Sequence, residues 1–272
     1  ITVTAGSLKL TEAGTLASSV SMSGGVLDAD ESSTVSGALS HTADITIDVA
    51  DNKTLTYSGL AISLGANTMT LTGGGTLMSG GLDLNNANSK LLLNSITVDS
   101  VSTTIDNSLG VDVDNDSTIT SLSVANITPV SIASGKTLSG AITLTAGSIK
   151  LAETGTLAST ISMSGGTLDA DESSTISGAL TQAGNVSIDV ADNKTLTYSG
   201  AAISLGANTM TLRGGGSFVS GGLTLNNANS KLLLNSITLD SASTSADSLG
   251  LDVNADSTVT SLSVGHITPV SI

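Results

Sequence analysis

Three aspartates spaced two residues apart, Asp112, Asp114 and Asp116, have the clearest potential for chemistry in this sequence. Alternating carboxylates at the start of a loop are typical of calcium sites, where hard oxygen ligands gather around one cation. The glycine and the distal glutamate of such a loop are missing, and a second copy of the segment keeps only Asp252 and Asp256. The segment is therefore a candidate calcium site. The alternative is a structural role without a metal, in which Asp112 is an outward strand residue and Asp114 and Asp116 are corner residues.

Residues suited to catalysis do not recur between the two copies. His41 and His266 align with Gln182 and Asn126, so neither imidazole is kept. The glycine triplet at 73–75 follows a strand pattern, but no helix pattern and no P-loop lysine comes after it. We therefore expect no enzyme activity and no catalytic or cofactor-binding residues, with calcium as the one cofactor that the sequence leaves open.

Two pairs of residues are candidates for lateral contacts with another molecule. Leu92 and Leu233 fall at outward positions by strand parity, and Tyr57 and Tyr198 occupy a position that other repeats fill with small residues. Each copy would thus present one contact point, although single exposed apolar residues are common on protein surfaces.

A file of hydroxyl side chains is a further candidate surface. One such residue recurs in each repeat of the first copy, at Thr15, Thr34, Thr54, Thr76, Ser95, Thr118 and Thr137. The file suggests ice binding, but that activity usually uses two parallel threonine files on a flat face, and the neighbouring outward positions vary. Carbohydrate binding normally uses stacked aromatic rings, of which the chain has three. Ice, carbohydrate and calcium binding are therefore alternatives to a purely structural role.

Composition excludes several classes of protein. Of 272 residues, 39% are hydrophobic but 1% aromatic, and the net charge is −15. Nucleic-acid binding requires clustered Lys and Arg, so a nucleic-acid partner is not expected. The apolar residues are too many and too periodic for a disordered chain. No apolar run approaches the length of a membrane-spanning helix, and the absence of cysteine excludes a disulfide framework.

The elements that must position these residues are short strands with a period of about 20 residues. The first aliphatic residue of each repeat recurs at intervals of 19 to 22 residues, at Leu8, Leu27, Ile47, Met69, Leu91, Val111, Val130 and Ile149. Alternating aliphatic and Ser/Thr residues predict strands with one face inward, separated by corners rich in Gly, Asn and Asp. A unit of this length with strands and no helix predicts one coil of a β-solenoid.

A longer repeat overlies the coils. Residues 1–132 align with residues 142–272 at an offset of 141, which becomes 140 after the one deletion, at the counterpart of Asn107. The sequence therefore predicts modules of seven coils, a complete one at 1–141 and a nearly complete one at 142–272, stacked end to end as one rod. Because Ile1 aligns with Ile142 and Ile272 with Ile132, we expect a slice of a longer array without caps.

The fold class follows from these periods. Each strand should pair in parallel with its equivalent one coil away, as in a parallel β-helix. Parallel crossovers are right-handed by default, and the coil length varies instead of following a strict hexapeptide repeat, so we expect right-handed winding. In the seventh coil, Val130, Ile132, Leu138, Ile142 and Leu144 should point inward.

The pattern is less regular in two coils. In the second coil, His41 takes the inward position that Met22 holds one coil earlier, so either the third strand ends early or a polar group is buried. The fifth coil has a longer polar part between Ser102 and Asn107, and we expect a surface bulge there. Lys9 and Asp28 share an outward position one coil apart, as do Lys150 and Asp169, and should form surface ion pairs.

The sequence pattern of the repeats resembles that of large secreted bacterial β-helical surface proteins. It is carried by Leu8-Lys9-Leu10, Gly14-Thr15-Leu16 and the Val20-to-Gly25 segment, which recur in long, nearly identical modules rich in Ser, Thr, Gly and Asp. In style it is similar to filamentous-haemagglutinin-type adhesins and autotransporter passenger domains. The resemblance covers the whole chain and implies a secreted, non-enzymatic shaft, fibre or adhesin stalk at the cell surface, with further copies of the module as partners.

Overall fold

Short strands joined by polar corners make up the whole chain. The structure is a computed structural model that describes residues 1–272, and it contains strands and no helix. The 36 strands are β1 (Thr2–Val3), β2 (Ser7–Leu10), β3 (Gly14–Leu16), β4 (Val20–Met22), β5 (Val26–Ala29), β6 (Ser33–Val35), β7 (Leu39–His41), β8 (Ile45–Val49), β9 (Thr54–Tyr57), β10 (Ile62–Ser63), β11 (Thr68–Thr72), β12 (Thr76–Met78), β13 (Leu82–Leu84), β14 (Lys90–Asn94), β15 (Thr97–Thr103), β16 (Gly110–Asn115), β17 (Ser117–Val124), β18 (Ile127–Ile132), β19 (Thr137–Leu144), β20 (Ser148–Leu151), β21 (Thr156–Leu157), β22 (Thr160–Met163), β23 (Thr167–Ala170), β24 (Ser174–Ile176), β25 (Leu180–Gln182), β26 (Val186–Val190), β27 (Thr195–Tyr198), β28 (Ile203–Ser204), β29 (Thr209–Arg213), β30 (Ser217–Val219), β31 (Leu223–Leu225), β32 (Lys231–Asn235), β33 (Thr238–Thr244), β34 (Gly250–Val253), β35 (Thr258–Val264) and β36 (Val270–Ser271).

The strands stack into a β-solenoid, which confirms the predicted fold class. Each full coil contributes a first, a second and a third strand, and the long strands β15, β17, β19, β33 and β35 serve as second and third strand together. The first strands form one parallel sheet of 14 strands. The second and third strands form the other side of the coil, in sheets of 19 and three strands. Every strand pairs in parallel with a strand about one coil away, as the coil period predicts.

The inward and outward positions of the seventh coil are also as predicted. Val130, Ile132, Leu138, Ile142 and Leu144 are all buried, whereas Thr143 is exposed. The buried aliphatic residues of successive coils contact one another in a single hydrophobic core of 61 residues. Burying one such side chain contributes roughly 1.5–3 kcal/mol, so stability depends on many coils sharing their interfaces.

The predicted pairing is wrong by two residues at two places. Ile47 pairs with Leu71 and not with Met69, and Val130 pairs with Leu151 and not with Ile149. A shift of two residues leaves every side chain on the same face of the sheet, so the hydrophobic pattern alone does not exclude it.

The polar part of the fifth coil protrudes as expected. Ser102 and Thr103 end strand β15, and the four residues after them, Thr104 to Asn107, are all exposed in a turn. The sequence did not indicate a second irregularity, a register shift between Leu93 and Asn94, where Asn94 pairs with Asn115 and Asp114 is the extra residue.

Strand pairing continues without interruption where the two modules meet. Strand β19 contains the boundary between residues 141 and 142, and it pairs with β17 behind and with β21 and β22 ahead. On the first-strand side, β18 pairs with β20 across the same boundary. No helix long and apolar enough to cross a membrane is present.

Glycine is required at some corners for two separate reasons. Gly110 has a φ of 85°, and a Cβ on it would overlap the carbonyl oxygen of Pro129 in the next coil. Gly250 and Pro269 repeat this arrangement in the second module. Gly135 has a φ of 72°, but a Cβ on it would meet open space. Positive φ disfavours a side chain at both kinds of corner, and close backbone packing excludes one only at the first.

Candidate functional site

The three aspartates of the candidate calcium segment do not converge on one point. The carboxylate of Asp112 forms an ion pair with Lys90 of the preceding coil. Asp114 is exposed, and Asp116 accepts a hydrogen bond of 2.8 Å from the backbone N–H of Thr137. No group of three or more His, Asp or Glu side chains in the chain is arranged to hold a metal ion. Asp112 and Asp116 thus each have a separate partner and Asp114 faces solvent, so the three carboxylates are not arranged around one cation.

Calcium removal should therefore leave stability unchanged. A shared cation would need six to eight oxygen ligands, whereas Asp112 is already neutralised by Lys90. We expect thermal melts in EDTA and in millimolar calcium chloride to superimpose. A stabilisation by calcium that is lost in the Asp112→Asn variant would show that the segment binds the ion after all.

The tyrosines are not available for lateral contacts, so that part of the prediction is wrong. Tyr57 and Tyr198 are 7% and 3% exposed and point into the core. Their hydroxyl oxygens accept hydrogen bonds from the backbone N–H groups of Leu39 and Leu180, at 3.2 and 3.1 Å. The phenol group is accommodated inside because its one polar atom has a partner.

Leu92 and Leu233 lie on the outside of the coil, as strand parity predicts. Both are partly exposed, in first strands whose neighbouring residues Leu91 and Leu232 are fully buried. A lateral contact at these leucines stays a prediction.

The side of the rod formed by the first strands carries most of the positive charge. Five of the eight cationic residues lie on these strands, at Lys9, Lys90, Lys150, Arg213 and Lys231. The predicted ion pairs are present, with Lys9–Asp28 at 3.3 Å and Lys150–Asp169 at 3.7 Å. Lys9 lies closer still to Asp30, at 2.9 Å. Such solvent-exposed pairs contribute little to stability, because water and salt screen them.

One acidic position differs between the modules in a way that alters its electrostatics. Asp48 pairs in register with Asp28 on one side and with Thr72 on the other. Partial burial, and then the negative charges of Asp28 and Asp30, raise the pKa of Asp48 above its usual value. In the second module Arg213 replaces that threonine and binds the equivalent Asp189 at 2.7 Å. The first module therefore carries an uncompensated carboxylate that the second module neutralises.

The Asp48→Asn variant should accordingly be more stable than the parent chain at pH 7. The folded state holds the proton of Asp48 more tightly than the unfolded state does, so ionisation destabilises the fold as pH rises through the raised pKa. The gain should be under about 1 kcal/mol and should disappear as the pH falls towards the unfolded value near 4. Chemical denaturation at several pH values measures it.

The matched control is Asp189→Asn. This substitution removes an ion pair with Arg213, so it should not stabilise the chain at neutral pH. Equal gains from both variants would contradict the assigned role of the missing arginine.

The opposite side of the rod is nearly free of charge. Its second and third strands contain no Lys or Arg, and their only acids are Asp83, Asp99 and Asp240. Asp99 accepts hydrogen bonds from the backbone N–H groups of Ser79 and Gly80, at 3.0 and 2.9 Å, so it serves the neighbouring corner. Asp240 accepts a bond of 3.0 Å from the N–H of Gly221 in the same way. A chain of net charge −15 thus presents one neutral side.

Two files of hydroxyl groups cover this neutral side, which we call the hydroxyl face. The third-strand file is straight over the seven coils that pair in register, where the carboxylate of Asp83 is the one member without a hydroxyl group: Ser63, Asp83, Ser102, Ser123, Thr143, Ser162 and Thr181. The sequence predicted variable neighbours for the threonine file, and this second file was missed because it becomes visible only when the third strands of successive coils are aligned. Its signal is the single Ser or Thr next to an aliphatic residue in the third strands, with Asp83 as the exception.

The second-strand file is not the one predicted. Thr97 takes the place assigned to Ser95, which occupies a corner with a φ of 59°. The file is also not one straight row. At three places an in-register row ends and the next row begins two residues earlier on the same strand. Its four in-register runs are Thr15, Thr34 and Thr56; Thr54, Thr76, Thr97, Thr118 and Ser139; Thr137, Thr156, Thr175 and Thr197; and Thr195, Ser217, Thr238 and Thr258.

Comparison with known proteins adds no family to this description. The sequence matches no family model, no curated protein and no solved structure.

Proposed function

We propose that this chain is a structural segment of an extracellular shaft or filament, part of a repetitive cell-surface protein such as an adhesin stalk. The observation that carries the proposal is the unbroken sheet of 14 first strands over a single aliphatic core. A solenoid of this kind gives length and stiffness from a short repeated unit. The sequence pattern of the repeats resembles that of secreted bacterial β-helical proteins, which supports the extracellular location.

Further copies of the module are the partners that fit this role. The two modules join through the same parallel pairing that holds the coils within each of them, through β18–β20 and β19–β22. A third copy requires no new kind of contact, because its first coil would pair as Ser148–Leu151 pairs with the preceding strand. The shaft is therefore extendable by whole modules.

Adding a copy of residues 1–141 tests the structural role. At about 4.8 Å per coil, seven extra coils should lengthen the rod by roughly 34 Å, starting from a rod of about 65 Å. Electron microscopy and small-angle scattering measure this length. If the extended chain forms a rod of unchanged length and doubled width, the shaft is contradicted, because the modules would then lie side by side.

Antibodies against the chain should label the surface of intact source cells.

A second candidate, binding through the hydroxyl face, is favoured by one observation. The predicted single file is accompanied by a second file, so the face has the two rows of hydroxyls that the sequence seemed to lack. A neutral ligand surface such as ice or a carbohydrate fits a side without cationic residues.

An ice-recrystallisation assay and a glycan array separate the two candidates. The parent chain should be silent in both if it is only a shaft. If it is active, Ser123→Tyr and Thr143→Tyr, which block the third-strand file, should abolish the activity. Thr70→Tyr on the opposite side is the control and should have no effect. Activity that survives both kinds of variant would exclude the hydroxyl face as its source.

A further inference from the structure

The third-strand ladder is interrupted once in each module. It runs β1, β4 and β7, then begins again at β10, and it breaks a second time between β25 and β28. The seven strands between the breaks are one module long. The first-strand and second-strand ladders pass both places without a gap. At each break two ladders therefore join the adjacent coils, whereas three ladders join the other complete coils.

Side chains take the place of the missing pairing in the first module. The edge N–H of Leu39 donates to the hydroxyl oxygen of Tyr57, which reaches up from the core. His41 ends its strand half-buried, and its Nε2 lies 3.1 Å from the carbonyl oxygen of Ser63 across the gap. Of the two alternatives for the second coil, the partly buried polar group is the one present, because the third strand does not stop early and His41 still pairs with Met22.

The second module closes the same gap less completely. Tyr198 again accepts the edge N–H, here of Leu180. Gln182 stands in the place of His41, but its Nε2 donates to the carbonyl oxygen of Thr209, 2.9 Å away, and no side chain bridges to Ser204. Its Oε1 is buried without a partner. A groove lined by Ala179, Thr181, Tyr198, Ala202 and Ser204, among others, lies over the gap.

A glycine two residues after each tyrosine fixes this arrangement. A Cβ on Gly59 or Gly200 would overlap the hydroxyl group of Tyr57 or Tyr198. Neither glycine is among those with positive φ, so the space for the ring and not the backbone conformation requires glycine there. The interruption is thus built by the same Tyr-Ser-Gly sequence in both modules.

We propose that each break is a compliant joint at which the rod bends. Backbone pairing fixes the separation of adjacent strands at about 4.8 Å, and that constraint is absent on one side of the coil at each break. The two intact ladders act as the hinge, and the side carrying the break opens and closes. The joints recur one module apart, so a longer array would bend at regular intervals. The proposal concerns the rod itself and holds whether it serves as a shaft or as a binding module.

Distances between spin labels test the proposal directly, because the chain has no cysteine and introduced cysteines are therefore labelled specifically. Ser123→Cys with Ser243→Cys spans six coil steps in the third-strand file and crosses the second break. Ser63→Cys with Thr181→Cys also spans six coil steps but lies entirely between the breaks. Both pairs should centre near 29 Å. We expect a broader distance distribution for the pair that crosses the break.

Equal widths for the two pairs would overturn the proposal. Hydrogen exchange of the unlabelled parent chain is a second measurement that no substitution can disturb. The N–H of Leu180 donates to Tyr198 and that of Ile203 donates to Gly222 at 3.1 Å, so the amides that face the gap are those of Gln182 and Ser204. These two amides should exchange several-fold faster than those of Met163 and Thr143, which lie in intact ladders. Equal protection at these places would also overturn the proposal, since the gap would then be as rigid as an intact ladder.

Discussion

Replacing Leu144 by Asp should unfold the coils around it. Leu144 is 0% exposed and lies between Val124 and Met163, its partners in the neighbouring coils. The substitution removes a packed aliphatic side chain and leaves a carboxylate without a partner in a dry core. We expect a loss of about 4 kcal/mol or more in the free energy of unfolding. Because each coil contacts only its neighbours, limited proteolysis should cut first near this position.

Thr143→Asp is the matched control for that experiment. Thr143 is the adjacent residue on the same strand, but it is exposed and uncharged neighbours surround it. A surface substitution of this kind should change stability by no more than about 0.5 kcal/mol. Equal sensitivity of the two variants to protease would mean that the inward and outward faces are reversed.

Gly110→Ala should produce the second large loss. Its positive φ costs a side chain roughly 1–2 kcal/mol, and the new Cβ would also overlap the carbonyl oxygen of Pro129. The two coils would have to separate locally, at a further cost of about 1–3 kcal/mol. Urea unfolding should show the sum as a lower midpoint.

Gly135→Ala separates the two causes. It has a similar φ, but its Cβ would meet no other atom within 4 Å. We expect only the conformational part, roughly 1–2 kcal/mol. If Gly135→Ala is as damaging as Gly110→Ala, close packing between coils does not explain the glycine at 110.

The coil period and the inward faces could be predicted because both are properties of local sequence. Alternation along one strand decides which residues are buried, and Val130 and Leu138 needed no knowledge of their neighbours. Pairing between coils is different. A two-residue slip at Ile47 or Val130 keeps the same alternation, and the length of the intervening corner decides the register. Right-handed winding stays a prediction.

The tyrosines show a second limit of sequence reasoning. The prediction placed the tyrosines on the surface because other coils have small residues at the equivalent position. That interpretation assumes that the third-strand ladder is complete, which leaves no room for a large ring inside. The interruption beside Tyr57 and Tyr198 makes room for the rings inside. The sequence of the strands that contain these tyrosines does not indicate the interruption. The hydroxyl face was incomplete in the prediction for a related reason, because its files exist only once the strands of successive coils are placed side by side in the correct register.

The sideways steps of the second-strand file act like dislocations in a crystal lattice. Each step displaces the row of hydroxyls by two residues, about 6.6 Å, so no straight row in that file is longer than the five coils from Thr54 to Ser139. A rigid ligand with a matching repeat would lose registry beyond roughly 19 Å, however long the rod becomes. Extension by further modules would therefore multiply short, separate patches and would not build one continuous template.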